Sequence, residues 1–233
     1  MAKSGEQPFV SRAGLKLDHA LNEFKLDVTG FICADFGCNV GGFTDCLLQR
    51  GAKLVYAIDT GYGVLDYRLR TDDRVLVMER TNALHAQLPS PPGRVKKGSG
   101  VFFRSTKKTP DPFFGVDLVT IDLAWTVQRL AVPAALRWLK ADGRIITLIK
   151  PHYELSEEEK RSLLVDGRLD PAEAERVVQR VLDDMPGLGA AVIAHTLSPI
   201  TGGKTSRKKK GAGNVEYLAL LRPTASGQPG TVS

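Results

Sequence analysis

FICADFGCNVGGF, residues 31–43, is the stretch on which the fold turns. Its first six residues are almost all apolar, the composition of a strand buried on both faces. Gly37 breaks the run, and the turn CNVGG leads into a helix over residues 42–50. Upstream, residues 10–24 carry Leu17, Leu21 and Phe24 at helical spacing, with Ser11 as the expected N-cap. Downstream, four more apolar runs read as strands: KLVYAID (53–59), RVLVME (74–79), VDLVTID (116–122) and RIITLIK (144–150).

Helical segments separate the later runs. One covers residues 132–139 and puts Pro133 in its first turn, where proline is tolerated. Ser156 with Glu159 makes a capping-box pattern, and Asp170-Pro171 supplies an N-cap followed by proline. Strands over 191–196 and 215–221 close the chain. Strands alternating with helices predict an α/β fold: a single Rossmann-like domain over residues 10–222, with a mostly parallel seven-stranded sheet and helices on both faces.

Composition agrees with one soluble domain. The chain has 233 residues, 42% hydrophobic and 25% charged, enough for one sizeable core. No apolar run reaches the ~18 residues of a membrane span, and MAKSGEQPFVSR lacks the apolar region of a secretory signal. Cys33, Cys38 and Cys46 show no CxxC pair. Reduced thiols in a cytoplasmic protein fit them better than a disulfide framework or a metal site. Residues 1–9 are expected to be flexible and 223–233 disordered. Two basic excursions, 88–112 and 201–213, interrupt the packed pattern; long structureless loops in a compact domain are commonly functional or disordered. The first holds Arg94, Lys96, Lys97, Arg104, Lys107 and Lys108, and the second Lys204, Arg207, Lys208, Lys209 and Lys210. Taking those eleven charges from the net +6 leaves the rest of the chain at −5. An acidic body carrying two basic loops points to an anionic partner.

In an open α/β sheet, ligands bind beyond the C-terminal ends of the strands. The candidate residues there are Asp35, Gly37, Cys38, Asn39, Gly41, Gly42 and Phe43 in the first turn, Asp59 after the second strand and Asn82 after the third. Glycines let a ligand approach the backbone, and the helix N-terminus offers free N–H groups. Asp59 suits the two hydroxyls of a ribose, and Asn82 an adenine edge. The dinucleotide fingerprint G-x-G-x-x-G is absent; the pattern is G-x-x-x-G-G with an acid before it. An acid in that place can hold the ammonium of a methionine, directly or through water, and has no task beside a pyrophosphate. These residues favour S-adenosylmethionine over NAD.

Three polar residues stand where apolar ones would be easier to bury: Asp122, Lys150 and Glu216. A structural salt bridge between Lys150 and Asp122 is the bland explanation, because a buried ion needs a partner. Two carboxylates and a lysine from three separated segments favour a site. Such a site could move a methyl group to a hydroxyl. A lysine that takes the hydroxyl proton acts as general base, and the donor's sulfonium favours its neutral form.

The runs PFVSRAGLKLDHAL, DFGCNVGGFTDCLLQRGAKLVYAIDTGYG, ERTNA, DLVTIDLAW, LIKPHYE, SPITGG and GNVEYL resemble, in order, TlyA-type proteins. These belong to the FtsJ-like family of RNA 2′-O-methyltransferases, and the resemblance runs from about residue 8 to 221. It implies a Lys-Asp-Lys-Glu tetrad at Lys16, Asp122, Lys150 and Glu216. It also implies that Lys150 is the central base, that Asp122 borders the S-adenosylmethionine site, and that the partner is RNA, foremost ribosomal RNA. Nothing in the residues themselves singles out Lys16, since a helix-surface lysine is ordinarily just solvated. Three departures stand out. TlyA-type proteins usually carry an S4 RNA-binding domain ahead of SRxGLKL, where this sequence has about nine residues. Cys38-Asn39-Val40 replaces small residues in the glycine turn. The two basic excursions read as insertions, expected to supply RNA affinity through phosphate contacts, with Phe102 and Phe103 adding base stacking.

Three rivals follow from the same residues. A base methyltransferase would use Asp122-Leu-Ala-Trp125, with Trp125 stacking on a flipped base, although the two prolines of that motif are missing and a core role suits the tryptophan better. A noncatalytic RNA-binding or assembly protein would retain the fold without the tetrad's chemistry. An NAD-linked dehydrogenase lacks any hydride-transfer constellation. The sequence expects no membrane association and leaves the oligomeric state open.

Overall fold

The computed structural model describes residues 7–89, 115–202 and 213–224. α1 (Ala13–Glu23) precedes β1 (Ile32–Phe36), α2 (Gly42–Gln49), β2 (Leu54–Ile58), the one-turn α3 (Tyr67–Arg70) and β3 (Val75–Met78). The chain continues through β4 (Val116–Ile121), α4 (Gln128–Leu136), β5 (Leu139–Ile149), α5 (Glu157–Leu163), the short β6 (Leu164–Val165) and β7 (Arg168–Leu169), α6 (Pro171–Asp184), β8 (Ala190–Leu197) and β9 (Tyr217–Pro223).

Seven strands form one sheet in the order β3-β2-β1-β4-β5-β9-β8. β1 to β5 run parallel, and β9 is antiparallel to both of its neighbours. Alternate residues of a strand point to opposite faces, so every strand of the sheet but β8 feeds two cores. Ala34, Phe36, Val119, Ile121, Ile145 and Ile149 pack with α4 and α6. Cys33, Val55, Leu118, Ile146 and Leu148 pack with α1 and α2 on the other face. Trp138 is fully buried in the first core, edge-on to Phe36 and Tyr56, and its indole N–H donates to Ala86 O at 3.0 Å. The α/β, mostly parallel, two-faced architecture therefore matches the pattern of apolar runs.

Several local expectations change. Ser11 caps nothing: Arg12 occupies the N-cap of α1 without a side-chain bond. α4 starts at Gln128, not near 132, so Pro133 lies inside the helix. The start signal is remote, because the Gln128 N–H donates to Glu154 26 residues further on. The Gln128 amide is itself satisfied by Thr147 and Leu148 O. β5 begins at Leu139, with a register shift opposite Val116/Leu118. α3 and the β6–β7 hairpin add to the expected elements. The hairpin turns at Asp166 and Gly167, both with positive φ, as a two-residue type I′ turn requires. Ordered chain also reaches further at both ends. Phe9 is buried against Gly14, and Pro223 pairs with Ala190. The capping box at Ser156/Glu159 and the Asp170 cap on Ala172 form as read.

Candidate active site

β1, β4 and β5 end along one edge of the sheet, and the residue after each of them is Gly37, Asp122 or Lys150. Gly37 turns the chain with φ +86°, and a Cβ there would lie 2.7 Å from Asp122 O. The Gly37 and Cys38 N–H groups both donate to Ile58 O, at 2.9 and 3.0 Å. Asn39 and Gly41 also have positive φ. Asparagine tolerates that region and glycine is free in it. Gly41 packs on α3, since a Cβ would come within 2.3 Å of Leu69. α2 then starts at Gly42.

Lys150 Nζ donates to Asp122 Oδ1 at 2.5 Å and to Leu123 O at 3.1 Å. On the far side, Lys16 of α1 donates to Glu216 Oε2 at 2.5 Å. Glu216 lies one residue before β9 rather than within it. These side chains are only 10% and 5% exposed, which explains an otherwise costly lysine on the buried face of α1. Lys16, Asp122, Lys150 and Glu216 all line one cleft of about 310 Å³, with Gly37, Cys38, Asn39, Gly42 and Phe43.

Asp35 departs from its expected place. Its carboxylate is fully buried, outside the cleft lining, and accepts from the Thr44 hydroxyl at 2.7 Å and the Thr120 hydroxyl at 3.0 Å. Burial pushes it up to about 7, against the pull of those hydrogen bonds. It supports the first turn of α2 from behind. Asp59 and Asn82 also stand outside the cleft lining. Asp59 accepts from the Asn39 N–H at 2.9 Å and the Gly61 N–H at 2.7 Å, one on each oxygen. Asn82 is exposed, and its carbonyl accepts from Leu84 N–H at 2.9 Å.

Other cleft residues escaped the reading of the sequence. His152 and Tyr153 follow Lys150 in a 3₁₀ turn, with ring centroids 4.1 Å apart. Burial, together with the Lys150 charge, pushes His152 down to about 4, and its buried Nδ1 has no partner among the described residues. Arg168 reaches the cleft from β7. Trp125 is not a core residue. It is 82% exposed, held at φ +52°, and its ring centroid lies 6.2 Å from that of Tyr153. Cys33, Cys38 and Cys46 are buried free thiols, all pushed well above the usual thiol range by burial.

The basic residues Arg94, Lys96, Lys97, Arg104, Lys107, Lys108, Lys204, Arg207, Lys208, Lys209 and Lys210 lie outside the described residues, as do Phe102 and Phe103. Gly202 and Gly213, which flank the second basic stretch, both line the cleft, and Gly202 N–H donates to Asn214 O at 2.9 Å. Among the described residues, no helix is long and apolar enough to cross a membrane.

Residues 9–208 match the family profile described as FtsJ-like methyltransferase. The chain is 36% identical to YqxC of Bacillus subtilis, provisionally named an rRNA methyltransferase, over 95% of this chain and 68% of that protein. It is also 36% identical to the 16S/23S rRNA (cytidine-2′-O)-methyltransferase TlyA of Mycobacterium tuberculosis, over 93% of this chain and 69% of that one. Among solved structures, a provisionally named hemolysin from Streptococcus thermophilus superposes with a TM-score of 0.76 at 32% identity, covering 96% of this chain and 70% of that chain.

Proposed function

The chain belongs to the FtsJ-like methyltransferase family, and from that premise we propose that it methylates a ribose 2′-hydroxyl of ribosomal RNA, with S-adenosylmethionine as donor. The carrying observation is the single cleft into which Lys16, Asp122, Lys150 and Glu216 converge beside the glycine turn. A relative of 36% identity is named for the same reaction on cytidine in 16S and 23S rRNA.

The residues present suit the donor. Gly37 and Gly42 line the cleft, and neither has room for a side chain, since a Cβ would lie 2.7 Å from Asp122 O or 2.3 Å from Ser11 Oγ; the backbone itself is what the cleft presents there. Each oxygen of Asp59 takes one backbone N–H and keeps a lone pair for a ribose hydroxyl. Asn82 keeps its amide N–H groups for an adenine edge. The turn from Gly37 to Phe43, with Asp59, Asn82 and Asp122, would hold the donor, and Asp35 would act only through the turn it braces. When bound, S-adenosylmethionine supplies an electrophilic methyl carbon.

A 2′-hydroxyl is a poor nucleophile until its proton leaves. In this reading Lys150 Nζ receives that proton, and Asp122 and the Leu123 carbonyl fix the direction of the amine. General-base help of this kind is worth roughly 10²–10⁴ in rate. The Lys16–Glu216 pair forms the opposite wall and helps position the acceptor ribose, since displacement at carbon gains most from alignment. Trp125, exposed beside Tyr153, offers a stacking face for the base of the target nucleotide. The basic residues of the two excursions would hold the RNA backbone; for the five of the second, the assignment is supported by the cleft position of Gly202 and Gly213.

Exposed Trp125 would serve a base methyltransferase equally well, so the product decides. Ribosomal RNA or subunits incubated with the protein and labelled donor, then digested and analysed by mass spectrometry, should yield a 2′-O-methylnucleoside. A methylated base, or RNA bound with no methyl transferred, would overturn the proposal.

A further inference from the structure

Among the described residues, the charges lining the cleft do not balance. Lys16 is paired with Glu216 and Lys150 with Asp122, each at 2.5 Å. His152, pushed down to about 4, is neutral near pH 7. Among the described residues, Arg168 is the remaining charged residue of the lining; it is exposed and makes no side-chain hydrogen bond or ion pair with the others. An arginine is always charged and presents a planar fork of donors matched to phosphate oxygens.

Arg168 is held in place by neighbouring backbone. It lies on the β6–β7 hairpin, and the Asn214 side chain clamps that hairpin on both sides of it. Asn214 Oδ1 accepts from Leu169 N–H at 2.9 Å, and Nδ2 donates to Gly167 O at 3.0 Å. Asn214 is buried and stands two residues before Glu216. The hairpin is therefore tethered to the β9 side of the cleft, whereas the glycine turn follows β1. In the order β1-β4-β5-β9 these strands are three places apart, about 14 Å at the usual strand spacing.

We propose that Arg168 is a phosphate-binding subsite for the acceptor strand, taking a phosphodiester next to the methylated ribose. The assignment rests on the reading of the acceptor as RNA. A donor bound at the glycine turn would also bring an anion, its carboxylate, which is the competing ligand for Arg168. Arg168 positions the acceptor and takes no part in proton transfer.

The test compares wild type, Arg168→Gln and Arg168→Lys for methylation of ribosomal RNA at several salt concentrations, with donor affinity measured separately by calorimetry. Arg168→Gln should raise the RNA KM about tenfold at low salt and lower the slope of log affinity against log salt by about 0.7–0.9, one phosphate's worth. Its donor affinity should stay unchanged. Arg168→Lys should keep the salt slope and lose part of the affinity, because it keeps charge without the fork. An unchanged KM and slope in Arg168→Gln, with active wild type, would overturn the subsite alone. A loss of donor affinity with an unchanged RNA slope would also overturn it, reassigning Arg168 to the donor carboxylate. Absence of ribose methylation by wild type would instead remove the premise.

Discussion

Replacing Lys16 by methionine leaves Glu216 as a buried carboxylate whose one side-chain partner among the described residues is gone. The two groups meet at 2.5 Å across 200 residues of chain, with side chains only 10% and 5% exposed. Breaking such a pair from one side costs about 3–5 kcal/mol, because an uncompensated charge stays behind. Lys16→Met and Glu216→Leu should each lose about that much in urea denaturation. For a domain of this size that corresponds to roughly 10 °C in Tm. The double variant removes both charges and fills the space with apolar groups, so its stability should return to within about 2 kcal/mol of wild type. The coupling energy of the cycle is then at least about 4 kcal/mol. Methyl transfer should stay lost in the double variant even though the fold is restored. Additive losses in stability would refute the buried-pair argument. A stable double variant with wild-type methyl transfer would refute the place of Lys16 and Glu216 in the machinery.

Three further outcomes follow from other parts of the structure. Trp125→Ala should leave stability within about 0.5 kcal/mol, since the ring is 82% exposed; the RNA KM, measured by methylation kinetics, should rise about tenfold through lost stacking. Gly37→Ala places a Cβ 2.7 Å from Asp122 O at φ +86°; calorimetry and denaturation should show weakened donor binding and a loss of about 2 kcal/mol or more. The pH dependence is set by opposed groups. Burial holds Asp35 and Glu154 up near 7 and His152 down near 4. Between about pH 5 and 6.5 the folded protein therefore keeps two protons that the unfolded carboxyls have released and lacks one that unfolded His152 holds. The net effect is a stability that falls as pH rises, by roughly 1 kcal/mol per unit, and a Tm series across that window checks the sign.

Those same residues show what sequence carries and what it does not. The near-continuous apolar runs at residues 31–36 and 116–121 are local, so the sheet and its two covered faces were legible. Asp122 and Lys150 were legible because a charge at the end of an apolar strand is conspicuous anywhere. Lys16 was not, because its reason for burial is Glu216, 200 residues away, and only resemblance pointed to it. Asp35 was assigned to the ligand because its partners, Thr44 and Thr120, come from a helix and a strand that meet only in the fold. The start of α4 depends in the same way on Glu154. The β6–β7 hairpin did carry a local signal, the Asp166-Gly167 turn, but its strands are two residues each, too short to show alternation. Trp125 looked like core because a large apolar ring usually is; its left-handed backbone, which turns it outward, has no mark in sequence.

Single-turnover methyl transfer by Lys150→Met, paired with its donor affinity, tests the central claim most directly. With Lys150 as the proton acceptor, the rate of 2′-O-methylation should fall by about 10²–10⁴ while the donor binds within about threefold of wild type. Undiminished transfer would contradict that role, and so would a loss of donor binding large enough to account for the loss of rate.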